Sequence, residues 1–462
     1  MSENGLAEFA QRGIELLQHE DEALYRLLAR EYERQSSVLA MVAASSIADP
    51  SVLFCEGMAT TNVTTEGYPG ARFHAGCQVV DAIEALAVER AKAAFHAQYA
   101  NVQPHSGTSA NGAVIFSLLK PGDTMLGMEL NSGGHLTHGA PASVTGQYFK
   151  AIGYSVNGDG FLDYEQVCHL AQQHQPKLII CGASAYPRRI DFKRFREIAD
   201  AVGAYLMADI SHIAGLVAAG EHPSSIDHAH FTTTSTYKQL YGPRGGLILI
   251  GRDVQTLGPD GKRTLPELIQ RAVFPYFQGT PNLSAVAAKA RALAIVAAPE
   301  FKKLAQHIVL DAKALAEYFA AKKYRVLTGG TDNHMILIDV FSSKGITGVI
   351  AERALEACNV IINKNRIAGD KKSVHVTSGM RLGTNSLAFR GMGPDEMFAC
   401  AGLIDRILSA ITPLGEQNYE LDGVVKEAFQ AEVTELCRAF PIPRYPMSYA
   451  KEGNASLFGE KT

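Results

Sequence analysis

Three local features of this chain could do chemistry. The first is Ser106-Gly107-Thr108, followed by Ser109-Ala110-Asn111-Gly112-Ala113-Val114. Small hydroxylated residues and a glycine at a helix start leave backbone N–H groups pointing at one spot, which suits a phosphate. An ordinary helix N-cap is the plainer reading of the same residues. The second is Asp209, at the end of the apolar run Tyr205-Leu206-Met207-Ala208. Open α/β sheets bind ligands at the carboxyl ends of their strands, and an acid there is costly unless something positive meets it. A helix cap or an internal salt bridge competes for that role. The third is Lys238, which follows the β-branched run Phe231-Thr232-Thr233-Thr234-Ser235-Thr236-Tyr237 and precedes Gly242-Pro243-Arg244-Gly245-Gly246. Most lysines are solvated on a surface, but one with limited solvation has a lowered pKa and can condense with an aldehyde. The three features together supply what pyridoxal phosphate needs of a protein. They are a cradle for its phosphate, an acid to keep its pyridine nitrogen protonated, and an amine for its aldehyde.

The elements that must position these residues follow from hydrophobic periodicity. Residues 6–42 read as helix, with Leu16, Leu17, Leu24, Leu27 and Leu28 at helical spacing among charges. The Gly-rich stretch 66–72 reads as a loop too polar for a core, and 82–96 as helix. From there to about residue 250, helices such as 192–202 alternate with short apolar strands at 123–130, 177–183, 204–209 and 246–251. Continuous apolar runs belong to strands buried on both faces, and the alternation predicts a mostly parallel sheet wrapped by helices. An Ala-rich helix at 284–298 forms a spine between domains. Beyond Lys302, amphipathic helices (305–322, 347–358) flank short strands such as 335–340, and a last helix covers 424–440. The expected organisation is a helical arm over 1–45, a large α/β domain over 46–300, a smaller C-terminal α+β domain over 301–445 and a tail over 446–462.

Composition bounds the function. At roughly 150 residues per domain, 462 residues give two or three units, and a 47% hydrophobic content is ample for their cores. Lys and Arg total 43 against 47 Asp and Glu, a net charge of -4. That balance speaks against nucleic acid or an acidic membrane as the main partner. The longest apolar stretch, 284–299, is cut by Lys289 and Arg291, so no membrane span is expected. The first eleven residues lack a basic-then-apolar leader pattern. Seven scattered cysteines without a Cys-x-x-Cys pair predict reduced thiols, a cytoplasmic location and no metal site.

A set of longer motifs then appears in order. They are Glu66-Gly67-Tyr68-Pro69-Gly70, Ala100-Asn101-Val102-Gln103-Pro104-His105-Ser106-Gly107, Gly133-Gly134-His135-Leu136-Thr137-His138-Gly139, and Asp209 through His212-Ile213-Ala214-Gly215-Leu216-Val217. Gly242-Pro243-Arg244-Gly245-Gly246-Leu247, Gly329-Gly330-Thr331-Asp332-Asn333-His334 and Thr377-Ser378-Gly379-Met380-Arg381-Leu382-Gly383-Thr384 complete it. Over roughly residues 40–440 the chain resembles the serine hydroxymethyltransferase family of fold-type I pyridoxal phosphate enzymes. The resemblance implies an aspartate aminotransferase-like homodimer, or a homotetramer, with its active site between subunits. Lys238 would carry the cofactor aldehyde and Asp209 would pair with the pyridinium nitrogen. His135 would stack on the ring. Ser106, Gly107 and Thr108, with Gly279 of a neighbouring subunit, would bind the phosphate. Ser184 and His212 would bond the phenolic oxygen. Arg381 would grip the substrate carboxylate through its planar fork, with Thr64, His74 and Arg244 also on the substrate side. Glu66, acting across the interface, would shuttle the proton of the substrate hydroxyl. Leu130, Gly134, Leu136 and Asn365 would line the tetrahydrofolate site.

The chain also departs from the family pattern. Ala44 stands for a carboxylate-binding serine, Thr64 for a tyrosine, Phe73 and His74 for a pair of tyrosines, Tyr237 for a histidine and Thr280 for a glycine. Most of these lie near the bound amino acid or the folate, while the cofactor residues are intact. The expectation is a pyridoxal phosphate hydroxymethyltransferase that uses tetrahydrofolate and acts on serine or α-methylserine. A folate-independent aldolase or transaldolase on threonine-like substrates, and a catalytically silent interaction paralogue, are the alternatives.

Overall fold

The structure is a computed structural model, and it describes residues 5–446. All but the first residue of the expected tail lies outside the described residues. Seven strands form the central sheet: β1 (Tyr99–Asn101), β2 (Thr124–Met128), β3 (Lys150–Tyr154), β4 (Leu178–Cys181), β5 (Tyr205–Asp209), β6 (Phe231–Ser235) and β7 (Gly246–Ile250). Their order is β1-β7-β6-β5-β4-β2-β3. Strand β7 runs antiparallel to both neighbours and the other pairings are parallel. Strands β4, β6 and β7 are buried at every position and β5 at all but its first. This is why they read as unbroken apolar or β-branched runs: helices cover both faces. The register sets Asp209 beside Thr233, so the acid and the strand leading to Lys238 end together.

A second, antiparallel sheet lies towards the C-terminus: β8 (Arg325–Val326), β9 (Met335–Asp339), β10 (Asn363–Asn365) and β11 (Gly379–Gly383), in the order β8-β9-β11-β10. The helix Pro299–Ala321 starts before the expected boundary and joins the two cores. Phe301, Ala305 and Ile308 pack with the large sheet, whereas Leu315 and Phe319 pack with the small one.

Two expectations are corrected. The N-terminal segment is not one helix but two, Gly5–Glu20 and Glu22–Ser36. Asp21 ends the first and caps the second by accepting from the Leu24 N–H, as a short acid does best at an N-cap. After them, Leu39–Ala40 pairs in parallel with Val360–Ile361, and Leu39 and Met41 enter the small-domain core. Neither helix buries a residue; Leu6, Phe9, Leu24, Leu27 and Leu28 are exposed. The second correction concerns residues 66–72. They form a hairpin, Gly67–Tyr68 against Ala71–Arg72, and its polarity is partly interior. The Arg72 side chain is only 3% exposed and pairs with Asp81 at 2.8 Å and Glu84 at 2.6 Å. Composition alone misreads such a segment because a charge becomes interior once it is paired and hydrogen-bonded. Gly67 is required here: its φ is +97°, and a Cβ would lie 2.4 Å from the Ala71 carbonyl oxygen.

All seven cysteines are free thiols, and no helix among the described residues is long and apolar enough to cross a membrane.

Candidate active site

Asp209 closes β5 and is buried. Its Oδ2 accepts from Asn111 Nδ2 at 2.8 Å and His138 Nε2 at 3.1 Å, and its Oδ1 accepts from the Ser211 N–H at 3.0 Å and the Ser211 hydroxyl at 2.5 Å. Burial pushes the carboxyl up, but the bonds from His138 and Ser211 and the nearby imidazoles outweigh it and hold the group well below the usual carboxylate range. It is therefore an anion at neutral pH. Asn111 is itself fixed: it accepts from Thr233 Oγ1 at 2.6 Å and donates to Thr137 Oγ1 at 2.9 Å. Thr137 also meets His135 Nδ1 at 2.8 Å. Burial pushes His135 down to about 4, leaving a neutral ring suited to stacking. Ligating atoms of His135, His138 and Asp209 lie within 4.8 Å of one another. The hydrogen bonds account for that cluster as the seat of a single buried negative charge.

Asn111, Thr137, His138 and Ser211 escaped the sequence reading as individual residues. All four lie inside the stretches that reading singled out. The missing information was how residues 71 and 98 positions from Asp209 converge on one of its oxygens.

Lys238 follows β6 and is 7% exposed, and its amine makes no hydrogen bond among the described residues. Burial lowers its amine to about 8 against the pull of Asp209. Beside it, the Arg244 guanidinium lies 3.8 Å over the Tyr237 ring, and the Tyr237 carbonyl accepts from Ser46 Oγ at 2.6 Å. Arg244, expected on the substrate side, is thus stacked on a ring in this chain.

Ser106 caps the helix Gly107–Leu118. Its Oγ accepts from the Ser109 N–H at 3.0 Å, and its own N–H donates to Ser109 Oγ at 2.8 Å. The N–H groups of Gly107 and Thr108 have no partner among the described residues. A Cβ on Gly107 would come within 3.2 Å of Ser235 Cβ, so the cradle is narrow. Ser235 Oγ and His212 Nδ1 are buried without partners. Such orphans call for an explanation, and a phosphorylated pyridine aldehyde fits it. A phosphate needs N–H and hydroxyl donors, a pyridinium needs an anion, and an aldehyde needs an uncharged amine.

His212 stacks on His334 with ring centroids 5.8 Å apart. His334 donates from Nε2 to the Ala43 carbonyl at 3.2 Å, beside Ala44, and its Nδ1 has no partner. Burial holds His212 well below its ordinary range and His334 at about 3, so both are neutral. Arg381, in β11, is 8% exposed. It donates from Nε to Asn363 Oδ1 at 2.9 Å and from Nη1 to the Ser184 carbonyl. Burial lowers it to about 10, which leaves it charged and bonded only to neutral acceptors. A buried cation of that kind suits an incoming carboxylate.

Glu66, His74 and Gly279 form a separate group. Glu66 Oε2 is 3.2 Å from His74 Nε2, and a Cβ on Gly279 would lie 3.4 Å from Glu66 Oε1. Thr64 and His74 are exposed. Among the described residues, no hydrogen bond or ion pair joins this group to Lys238, Asp209 or Arg381.

The family model described as serine hydroxymethyltransferase matches residues 17–404. A probable serine hydroxymethyltransferase of Rickettsia bellii is 47% identical over 92% of this chain and 98% of its own length. The serine hydroxymethyltransferase of Rickettsia canadensis is 46% identical over the same shares. Serine hydroxymethyltransferase 2 of Rhodospirillum rubrum is 46% identical over 91% of this chain and 95% of its own length. The chain belongs to the serine hydroxymethyltransferase family. It is a fold-type I pyridoxal phosphate-dependent hydroxymethyltransferase, with tetrahydrofolate as co-substrate.

In this family member the expected folate residues have different surroundings. Leu130 and Leu136 are 46% and 48% exposed. Asn365 donates to the Arg366 carbonyl at 2.6 Å, and Arg366 Nη1 reaches Asn131 Oδ1 at 2.7 Å, so β10 meets the loop that carries Leu130. Gly134 has a packing reason of its own, since a Cβ there would lie 2.0 Å from the Met128 carbonyl oxygen.

Proposed function

We propose that this hydroxymethyltransferase makes and breaks the Cα–Cβ bond of α-methylserine as well as serine, in a homodimer whose sites are shared between subunits. The observation that carries the amino-acid substrate in this reading is Arg381. A buried, unneutralised guanidinium is close enough for its charge to push the Lys238 amine down, as a site for an amino-acid carboxylate beside a nucleophilic amine requires.

Pyridoxal phosphate, held by Lys238, supplies a sink for the electron pair left on the substrate's Cα. The residues around it have separate tasks. Asp209, kept anionic by His138 and Ser211, holds the proton on the ring nitrogen. Ser106, Gly107 and Thr108, with Ser235, hold the phosphate. His135 would cover the ring, and His212 and Ser184 would bond its phenolic oxygen. Arg381 orients the substrate through its carboxylate. Glu66 and Gly279, lent to a second copy, complete that copy's site, with Glu66 moving the proton of the substrate hydroxyl. Leu130, Gly134, Leu136 and Asn365 flank the place for tetrahydrofolate. The uncovered apolar face of the two N-terminal helices and the lack, among the described residues, of a hydrogen bond or ion pair from Glu66 to Lys238 support a dimer. Seven free thiols support a cytoplasmic setting.

The α-methyl reading rests on the departures. Cleavage of Cα–Cβ does not require an α-hydrogen, so an α-methyl group is tolerable where there is room. Ala44, Thr64 and His74 each remove volume or a hydroxyl on the substrate side. The test compares kcat/KM for serine, α-methylserine and threonine, with and without tetrahydrofolate, and identifies the products. Folate-dependent turnover is expected, with alanine formed from α-methylserine at least as efficiently as glycine from serine. A hundredfold preference for serine removes the α-methyl reading. Equal release of formaldehyde without folate makes the protein an aldolase.

A further inference from the structure

We propose that a buried polar cluster, Arg72, Glu84 and Gln103 with Lys289 behind it, positions Glu66, and that it therefore governs the reaction of the second copy rather than that of its own chain. This inference rests on the shared-site reading above.

Glu84, on the helix Gln78–Phe95, is 2% exposed. Its Oε2 accepts from Arg72 Nη2 at 2.6 Å and its Oε1 from Gln103 Nε2 at 2.8 Å. Arg72 Nη1 donates to the carbonyls of both Thr65 and Gly67 at 2.9 Å, and Gln103 Nε2 donates to the Gly67 carbonyl at 2.9 Å. The Phe73 N–H donates to the Glu66 carbonyl at 3.0 Å. Three consecutive carbonyls, at 65, 66 and 67, are thus held, two of them by side chains of the cluster. A hairpin with two residues per strand cannot hold itself. The path of the backbone at Glu66 is therefore set by Arg72 and Gln103, and Glu84 fixes both of these.

The cluster has a rigid bed. Lys289, 1% exposed, donates from Nζ to the carbonyls of Val102, Pro104 and Gly246 at 2.6, 3.0 and 3.1 Å. These include both neighbours of Gln103. The Gln103 carbonyl accepts from Gln278 Nε2 at 3.0 Å, one residue from Gly279. Arg72 alone pairs with both Asp81 and Glu84, while burial lowers the Lys289 amine to about 7. Neutralising Glu84 leaves the buried Arg72 charge without its interior partner. A misplacement of about 1 Å at a reacting group costs on the order of 10²-fold in rate, so looseness at residues 65–67 should be read out through the Glu66 carboxylate.

Hybrid dimers separate this role from a general structural one. Chains carrying Lys238→Ala and Glu66→Ala are co-expressed with different affinity tags and purified as heterodimers loaded with pyridoxal phosphate. One intact site then combines Lys238 of the second chain with Glu66 of the first. Glu84→Gln is added either to the Lys238→Ala chain, which lends Glu66, or to the Glu66→Ala chain, which holds the cofactor. At saturating cofactor we expect kcat to fall at least tenfold in the first arrangement and to stay within twofold in the second, with unchanged cofactor absorbance in both. Equal losses in both arrangements, or no loss in either, overturn the proposal. Should Glu84→Gln prevent assembly, Gln103→Met is placed in the same two positions with the same expectations. An inactive parental hybrid, with correct subunit exchange, instead counts against the shared site itself.

Discussion

The site has two halves of opposite character. Around Asp209 both carboxylate oxygens are committed to named donors, the His135 ring is neutral, and Asp209, Asn111, His138 and Ser211 are interior. Around Glu66 the surface begins: the Glu66 and His74 side chains are 38% and 45% exposed, and their contacts are with each other and the vicinity of Gly279. One chain suffices to set the electrostatics that serve a cofactor. The surroundings of the substrate's reacting carbon are left for assembly to finish. It follows that changes in the exposed half should alter which substrate reacts, and changes in the interior half whether anything reacts.

The sharpest test of that division is Lys238→Ala. The interior half then loses the amine that burial has lowered to about 8, and turnover should fall roughly 10³-fold or more. The fold should persist, because an amine without a hydrogen bond stabilises little where it is buried. Loss of the cofactor's visible absorbance with an unchanged thermal midpoint is the expected pair of results. Borohydride reduction of the wild type that fixed the cofactor mainly on another lysine would falsify the assignment.

A smaller effect comes from pH. With the Lys238 amine lowered to about 8, the uncharged, nucleophilic form grows tenfold per unit as pH rises towards that value and then saturates. Cofactor capture by the apo-protein, followed by stopped-flow absorbance, should show that rise and plateau. An ordinary lysine would still be gaining well above pH 9. Since Asp209, His135 and His212 do not change charge between pH 6 and 9, none of these three adds a step, and a profile with a single step is expected. A second step in that window would place a further titrating group against the amine.

These contrasts also explain what could be read from the chain. Strands β4 to β7 were visible because burial on both faces forces continuous apolar or β-branched runs, and the strand-end acid and the lysine followed from them. The cradle was visible because helix starts need small polar residues. The break at Asp21 was hidden, since the leucines on both sides keep helical spacing and only a capping bond to Leu24 marks the end. The interior part of the hairpin was hidden too: Arg72 looks solvated until Asp81 and Glu84 arrive from a helix that begins six residues later. His138 and Asn111 were on view as letters, but their convergence on Asp209 is tertiary. Roles for Glu66, Gly279 and Asn365 came only with the family resemblance, because their spacing carries no chemistry by itself.

The mildest change is His74→Tyr, and it addresses the exposed half alone. Where the family has a tyrosine, this chain has an imidazole 3.2 Å from Glu66 Oε2. A phenol is larger and would refill space on the substrate side, so it should disfavour the α-methyl group more than the α-hydrogen. One methyl in such a pocket is worth about 1–3 kcal/mol. The ratio of kcat/KM for α-methylserine over serine should therefore fall by about tenfold. The visible spectrum of the bound cofactor and the pH profile of its capture should not move, because no bond joins His74 to the Asp209–Lys238 group. Phe73→Tyr serves as the neighbouring control, since Phe73 packs on the Phe274 ring. A substrate ratio shifted less than twofold by His74→Tyr, or a shifted cofactor spectrum, would mean that the two halves are not separable in the way their burial and bonding indicate.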